Sequence, residues 1–354
     1  MRLSRAAVLL LALLSPAALV RAQDAPSTDA PPVSTAPAQD ANGEAAITTL
    51  KVNSNLVSLF FTVRDKHNGL VPTLTKDDCN IFEDRVQQTV KNFSTESDLP
   101  LTIGILLDTS GSQMNVLPME QQTGAAFLKR VMTPKDEAFL ISFDVNVNLL
   151  ADYTNNSTQI ARAMEKATIN TGGGSGGVPG IGQGPIPQSG TPKGTLLYDA
   201  IYLASHEKLR QETGRKVLIL LTDGQDQGSD EKPSQAMEDA QKANAIIYVL
   251  LIADRGFYSN GGINLGGFTG DSAMRKLAGD TGGRVIDVGN NGKKMEDAFA
   301  QIEAELRTQY LASYTPLSPK LDGSYRTVQI QCKGDGLKIQ ARKGYYAMPS
   351  DSTD

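Results

Sequence analysis

The chain has 354 residues, 34 basic and 39 acidic side chains and a net charge of −5. That balance excludes a protein built to grip nucleic-acid phosphates, which demand a basic face, and it disfavours an anionic membrane surface. It suits a protein that concentrates cations.

Residues 1–22 read as a signal peptide. Arg2 and Arg5 give a positive start, Ala6 to Leu14 is an unbroken apolar run, and Val20-Arg21-Ala22 offers small residues at −3 and −1 before Gln23. The run is too short to span a bilayer comfortably, no second one follows, and no Cys follows it to carry a lipid. The expected mature chain is therefore exported, secreted or periplasmic, with no membrane insertion after cleavage. Removal of residues 1–22 takes away Arg2, Arg5 and Arg21 and no acid, leaving 31 basic against 39 acidic residues, a net −8. Residues 23–46 hold Ala, Pro, Ser, Thr, Asp and Gln and no aromatic residue. Such a segment buries too little apolar surface to offset its ordering entropy and is expected to be a disordered linker.

Residues 47–98 read as a first β segment, with a period-two pattern from Leu50 to Phe93. Val57, Leu59, Phe61 and Val63 share a face, Asn68-Gly69 marks a turn, and two further strands flank the polar turn Glu83-Asp84-Arg85. At Leu101 the pattern changes. Thr102 to Leu107 is a continuous apolar run, as expected of a strand covered on both faces. Helical stretches near Met119–Val131, Ser157–Ala167, Thr195–Glu212, Ser234–Ala243, Ser272–Ala278 and Lys294–Leu306 alternate with strands near Ala138–Phe143, Lys216–Leu221, Ala245–Ile252 and Gly283–Val288. That alternation predicts a doubly wound, mostly parallel, Rossmann-like α/β sheet over residues 99–310. Residues 311–347 return to β alternation, with Val328, Ile330 and Cys332 on one face, a turn at Lys333 to Gly336, and Leu337, Ile339 and Ala341 alternating back. Residues 348–354 are expected to be a disordered tail. Each β segment is too small for a core of its own, so the expectation is one β-sandwich with the α/β domain inserted between its halves. Cys79 and Cys332 both alternate with core residues; export permits a bond between them, and two separate buried thiols are the alternative.

Asp108-Thr109-Ser110-Gly111-Ser112 follows the first α/β strand, Thr195 opens a helix, and Asp223-Gly224 follows the strand ending at Leu221. In an open α/β sheet the ligand site lies beyond the carboxyl ends of the strands, where the strand order reverses. Asp108, Ser110, Ser112, Thr195 and Asp223 therefore become candidate ligands of one hard divalent cation, Mg²⁺ or Mn²⁺, which oxygen donors suit. Neutral hydroxyls leave much of the cation's charge uncancelled, so an Asp or Glu of a protein partner can complete its coordination.

The Asp-x-Ser-x-Ser run, Thr195 within Gly-Thr-x-Leu-Tyr-Asp and the later Thr-Asp-Gly resemble the metal-ion-dependent adhesion site of von Willebrand factor type A domains over about residues 100–312. The resemblance implies direct contacts from Ser110 and Ser112, with Thr195, Asp108 and Asp223 binding directly or through water. The flanks, including Asp77 to Asp84, Tyr310 to Pro316, Asp322 to Arg326 and Arg342 to Ala347, are similar to the von Willebrand A-related proteins of Acidobacteria; Cys79 departs from the aromatic expected there. That second resemblance adds organisation and no ligand; the adhesion-site resemblance implies an exported binding or adhesion protein, and the expectation is that it is not an enzyme. A metal-assisted hydrolase using Asp108 and Asp223, or a module whose metal only stabilises the fold, are the alternatives. The two His residues, His67 and His206, lack metal-ligand spacing, and Ser110 has no visible base. Asp199 reads as either an outer support of the site or a surface acid, and Asp226 and Asp230 as solvated loop charges. The glycine-rich stretches Gly172 to Gly194 and Gly256 to Gly270 read equally as specificity loops at the metal rim or as plain spacers.

Overall fold

A computed structural model describes residues 56–95, 99–170, 194–252 and 269–349. The expected signal peptide and linker, most of both glycine-rich stretches and most of the tail lie outside the described residues. Among the described residues no helix is long and apolar enough to cross a membrane.

In chain order, β1 (Val57–Arg64), β2 (Cys79–Glu83), β3 (Val86–Gln88) and β4 (Val90–Thr95) come first. Then follow β5 (Leu101–Asp108), α1 (Leu117–Val131), β6 (Glu137–Phe143), β7 (Val147–Thr154), α2 (Ser157–Glu165) and α3 (Leu197–Tyr202), which runs on as a wider helical turn to Leu209. β8 (Arg215–Thr222), α4 (Pro233–Lys242), β9 (Ala245–Leu251), α5 (Thr269–Thr281), β10 (Val285–Asp287) and α6 (Gly292–Arg307) complete the α/β part. The last strands are β11 (Tyr310–Tyr314), β12 (Tyr325–Cys332), β13 (Lys338–Ala341) and β14 (Gly344–Tyr346).

The central sheet has the order β10-β9-β8-β5-β6-β7, parallel except for the antiparallel edge strand β7. Helices cover both faces, α1, α2 and α6 on one and α3, α4 and α5 on the other. That is why every residue of β5 and β8 is buried and why both strands read as unbroken apolar runs. β5 lies tightly between its neighbours. A Cβ at Gly104 would stand 2.4 Å from the Phe139 ring and 2.5 Å from Leu218.

The flanks form two antiparallel four-stranded sheets, β13-β1-β11-β4 and β14-β12-β2-β3. Each mixes strands from before and after the α/β domain, so the domain is an insertion in one sandwich. The alternating face of β1 meets Tyr310, Ala312 and Tyr314 of β11 and Ile81 of β2 in one core. Each such large side chain contributes roughly 1.5–3 kcal/mol by leaving water. Asp84 and Arg85 take φ values of 47° and 69°, the left-handed pair that a tight hairpin between β2 and β3 needs. Cys79 stands opposite Cys332 in the β2–β12 pair and is bonded to it. The bond closes a loop spanning 253 positions, worth roughly 5 kcal/mol in the chain-entropy picture. After the turn at Lys333 to Gly336, β13 crosses to the other sheet and pairs with β1. β12 itself pairs with β14 through Tyr325, Arg326 and Thr327 and with β2 from Val328 to Cys332.

Glu305 of α6, at 0% exposure, joins the sandwich to the α/β domain. Its carboxylate accepts from Arg64 of β1, from Arg284 Nε at 2.8 Å and Nη2 at 2.6 Å, from Tyr248 Oη at 3.1 Å and from Gln340 Nε2 of β13 at 3.1 Å. Glu305→Ala leaves two guanidinium groups facing a buried void and is expected to cost about 3–5 kcal/mol. Urea unfolding of the variant checks this; a loss below about 1 kcal/mol would show that the joint does not depend on this carboxylate.

Candidate metal centre

β5 and β8 are adjacent and parallel, with Leu107 level with Leu221. Their following helices, α1 and α4, lie on opposite faces of the sheet, so the strand order reverses between them. Asp108 ends β5 and Asp223 directly follows Thr222, the end of β8. Chain direction alone therefore delivers two carboxylates side by side at one rim, at 0% and 2% exposure.

Local hydrogen bonds fix how each carboxylate points. Ser110 N donates to Asp108 Oδ1 at 3.0 Å, and Thr222 Oγ1 donates to Asp108 Oδ2 at 2.7 Å. Gln225 N donates to Asp223 Oδ1 at 3.0 Å, and Ser112 Oγ donates to Asp223 Oδ2 at 2.7 Å. Gly224 holds a φ of 79°, where a side chain would be strained, so that its N–H can reach Thr222 Oγ1 at 3.0 Å. Ser110 Oγ and Ser112 Oγ are 3.1 Å apart. The short helical turn Gly111–Gln113, closed by Gln113 N to Ser110 O at 3.0 Å, puts both hydroxyls on the same side.

Four of the five expected residues thus form one connected group: Asp108, Ser110, Ser112 and Asp223. Thr195 is brought to the same rim by its backbone. Gln227 N donates to Thr195 O at 2.8 Å and Gly194 N to Gln227 O at 2.5 Å, strapping its segment to the loop after β8. Among the described residues, no hydrogen bond links the buried Thr195 hydroxyl to the other four. Neither is there a group of three or more His, Cys, Asp and Glu set to hold a metal ion among them. The donor set is two carboxylates and hydroxyls, which is oxygen chemistry for a hard cation.

Three acids take positions that the sequence alone does not reveal. Asp144, directly after β6 and 5% exposed, accepts from Thr109 Oγ1 at 2.8 Å, Asn146 N at 2.9 Å and Asn170 Nδ2 at 3.1 Å. Its carbonyl accepts from Leu196 N at 2.8 Å. It ties the Asp108 loop to the segment that carries Thr195, and its place at a strand's carboxyl end was the available signal. Asp226 is no free loop charge. Its Oδ1 caps the start of α3, accepting from Leu197 N at 3.0 Å and Ser229 Oγ at 2.5 Å. Asp199 accepts from Asp230 N at 3.2 Å and Glu231 N at 2.8 Å, which braces the loop before α4.

Burial first, and then the charge of Asp223, push the Asp108 carboxyl up to about 7, against the pull of its Ser110 and Thr222 hydrogen bonds. Two carboxylates held together in a dry site repel, and a divalent cation is the natural relief. The residues present therefore fit a cation. Sign follows from linkage. A carboxyl raised in the folded state contributes stability that is present below about 4, its unfolded value, and is lost as pH rises through about 7. In chelating buffer the melting temperature of the wild type, relative to Asp108→Asn, should fall across that window. A constant difference between the two proteins from pH 4 to 8 would contradict the shift. Asp144→Ala removes three buried or half-buried hydrogen bonds to a charged acceptor and should cost about 2–4 kcal/mol in denaturant titration. A change within about 0.5 kcal/mol would mean those segments are held elsewhere.

No family model matches this chain, and no curated protein matches it. Similar solved structures include proximal thread matrix protein 1 from the mussel byssus with its MIDAS motif occupied by zinc, at 17% identity and a TM-score of 0.45, covering 64% of this chain and 50% of that one. BatB from Bacteroides thetaiotaomicron has 17% identity and a TM-score of 0.41 over 58% of this chain and 98% of its own. The SpRpn10 VWA domain has 14% identity and a TM-score of 0.38 over 58% and 95%. The match spans about half the length of the mussel protein. The likeness is one of fold. The α/β part is a doubly wound, mostly parallel sheet with helices on both faces, and that description stands on the strand order given above.

Proposed function

We propose that this chain is an exported binding protein that holds one divalent cation, Mg²⁺ or Mn²⁺, with Ser110, Ser112, Thr195, Asp108 and Asp223, and uses it to capture an Asp or Glu side chain of a protein partner. One observation carries this: the Ser110, Ser112 and Asp223 side-chain oxygens form a chain of contacts 3.1 and 2.7 Å long at the sheet's switch point, backed by the buried Asp108. When bound, the cation supplies a Lewis-acidic position that an incoming carboxylate can occupy. Ser110 and Ser112 would meet it with neutral oxygens, and Asp108 and Asp223 would balance its charge. Thr222 and the Ser110 amide hold Asp108 in place for that task.

Binding rather than turnover is supported by the group itself: Asp108, Ser110, Ser112 and Asp223 are hydrogen-bonded to one another, to Thr222 or to backbone N–H groups, and no His is among these described side chains. The flanking motifs support membership of the von Willebrand A-related family of Acidobacteria, and the apolar run at Ala6 to Leu14 supports export to the periplasm or beyond.

Asp108→Ala and Asp223→Ala should each abolish Mg²⁺ or Mn²⁺ uptake in calorimetry while circular dichroism stays that of the wild type. Wild-type protein should bind a resin carrying an acidic peptide in Mg²⁺, lose it in EDTA, and ignore the same peptide with Asn and Gln in place of its acids. Unchanged metal affinity in both variants would remove the metal centre. Metal uptake with equal binding to acidic and amide peptides would remove the carboxylate partner.

A further inference from the structure

Beneath the proposed centre lies a third acid that the adhesion-site pattern does not include. Glu120 sits in the first turn of α1, whose start is chained to the Ser110–Ser112 turn through Val116 N to Gln113 O at 3.0 Å and Glu120 N to Val116 O at 3.1 Å. It is 0% exposed, and neither carboxylate oxygen has a hydrogen-bond partner. Gln113, also at 0% exposure, leaves its Oε1 without a partner while its Nε2 faces Ser112 Oγ at 3.5 Å. Three unpaired buried acceptors thus lie on the α1 side of the site. Leaving even one such group unsatisfied costs about 1–3 kcal/mol, so their grouping on the segment that carries Ser110 and Ser112 calls for a source of donors.

The electrostatics show what shares their surroundings. Burial, then the charges of Asp108 and Asp223, hold the Glu120 carboxyl well above the ordinary carboxylate range, so the three acids act on one another through dry protein. Direct ligation by all three is not what the geometry offers, since the acids of the described residues do not converge as a metal-ligating cluster. A small hard cation keeps several of its waters, and those waters are strong donors. We infer that Glu120 is the outer acid of this centre. On the metal reading above, it and the Gln113 carbonyl oxygen accept hydrogen bonds from water on the cation; the cation's positive charge favours loss of the Glu120 proton to solvent, and the resulting carboxylate raises the site's affinity without touching the metal. The competing role is an inert, protonated acid that merely fills space under α1.

Metal titration separates the two. The full chain is titrated with Mn²⁺ by calorimetry, and its melting temperature is read with and without the ion. Glu120→Gln keeps the shape and removes the charge, and Glu120→Leu removes the polar atoms as well. Both should melt no lower than wild type in chelator, bind Mn²⁺ about 10- to 100-fold more weakly, and show a smaller metal-induced rise in melting temperature. Asp223→Ala in parallel should show no uptake. Wild-type Mn²⁺ affinity in either folded Glu120 variant, beside a wild type that binds and an Asp223→Ala that does not, would overturn the role of Glu120 and leave the metal centre standing. A wild type that takes up no Mn²⁺ would overturn both.

Discussion

Glu305 is the constraint on which the arrangement of this molecule depends. A carboxylate removed from water must be met by donors, and here the donors come from two structural parts. Arg284 and Tyr248 belong to the α/β domain; Arg64 and Gln340 belong to the sandwich. α6 therefore cannot turn or slide without stranding a charge. Glu83 repeats the device inside the sandwich, where Arg326 Nη1 at 3.0 Å, Tyr314 Oη at 2.7 Å and Tyr345 Oη at 2.8 Å converge on it from both sheets. With the disulfide between β2 and β12, these contacts hold the two chain crossings of the inserted domain close together, and the far rim of the central sheet is presented on a fixed base.

At that rim the same device changes purpose. Asp108, Asp144 and Asp223 each stand at or just beyond the carboxyl end of a neighbouring strand, β5, β6 and β8. Asp144 is spent on structure, tying the loops together. Asp108 and Asp223 press on each other, a repulsion that the proposed cation would relieve. The difference lies in the donors each acid meets: Asp144 receives one hydrogen bond from its own turn and two from other segments, whereas Asp108 is served by its own loop and by Thr222 and carries the repulsion of its neighbour. Glu120, with no donor at all, is the extreme of the series.

Much of the fold could be read along the chain because period and burial go together. A strand covered on both faces must be apolar throughout, so Thr102 to Leu107 and Lys216 to Leu221 announced themselves; a strand covered on one face alternates, so β1 and β12 did too. The exchange of strands across the sandwich was less accessible. β13 alternates just as a hairpin partner of β12 would, and nothing along the chain says that it joins β1 instead. Glu83 read as part of a polar turn, because its acid gives no sign along the chain that an arginine and two tyrosines more than 200 positions away will bury it.

The sequence by itself determined the alternation of strands and helices, the turn residues, and the placing of Asp108, Ser110, Ser112 and Asp223 at the ends of apolar runs. These are local consequences of side-chain period and backbone freedom, and each is written within a few residues. Tertiary structure alone decided which acids are satisfied and which are left under strain. Asp144, Asp226 and Glu305 meet donors supplied from distant segments, while Glu120 meets none. The physical reason is that a carboxylate's role follows from its desolvation and its hydrogen-bond partners, and both are properties of the packed chain rather than of the residue.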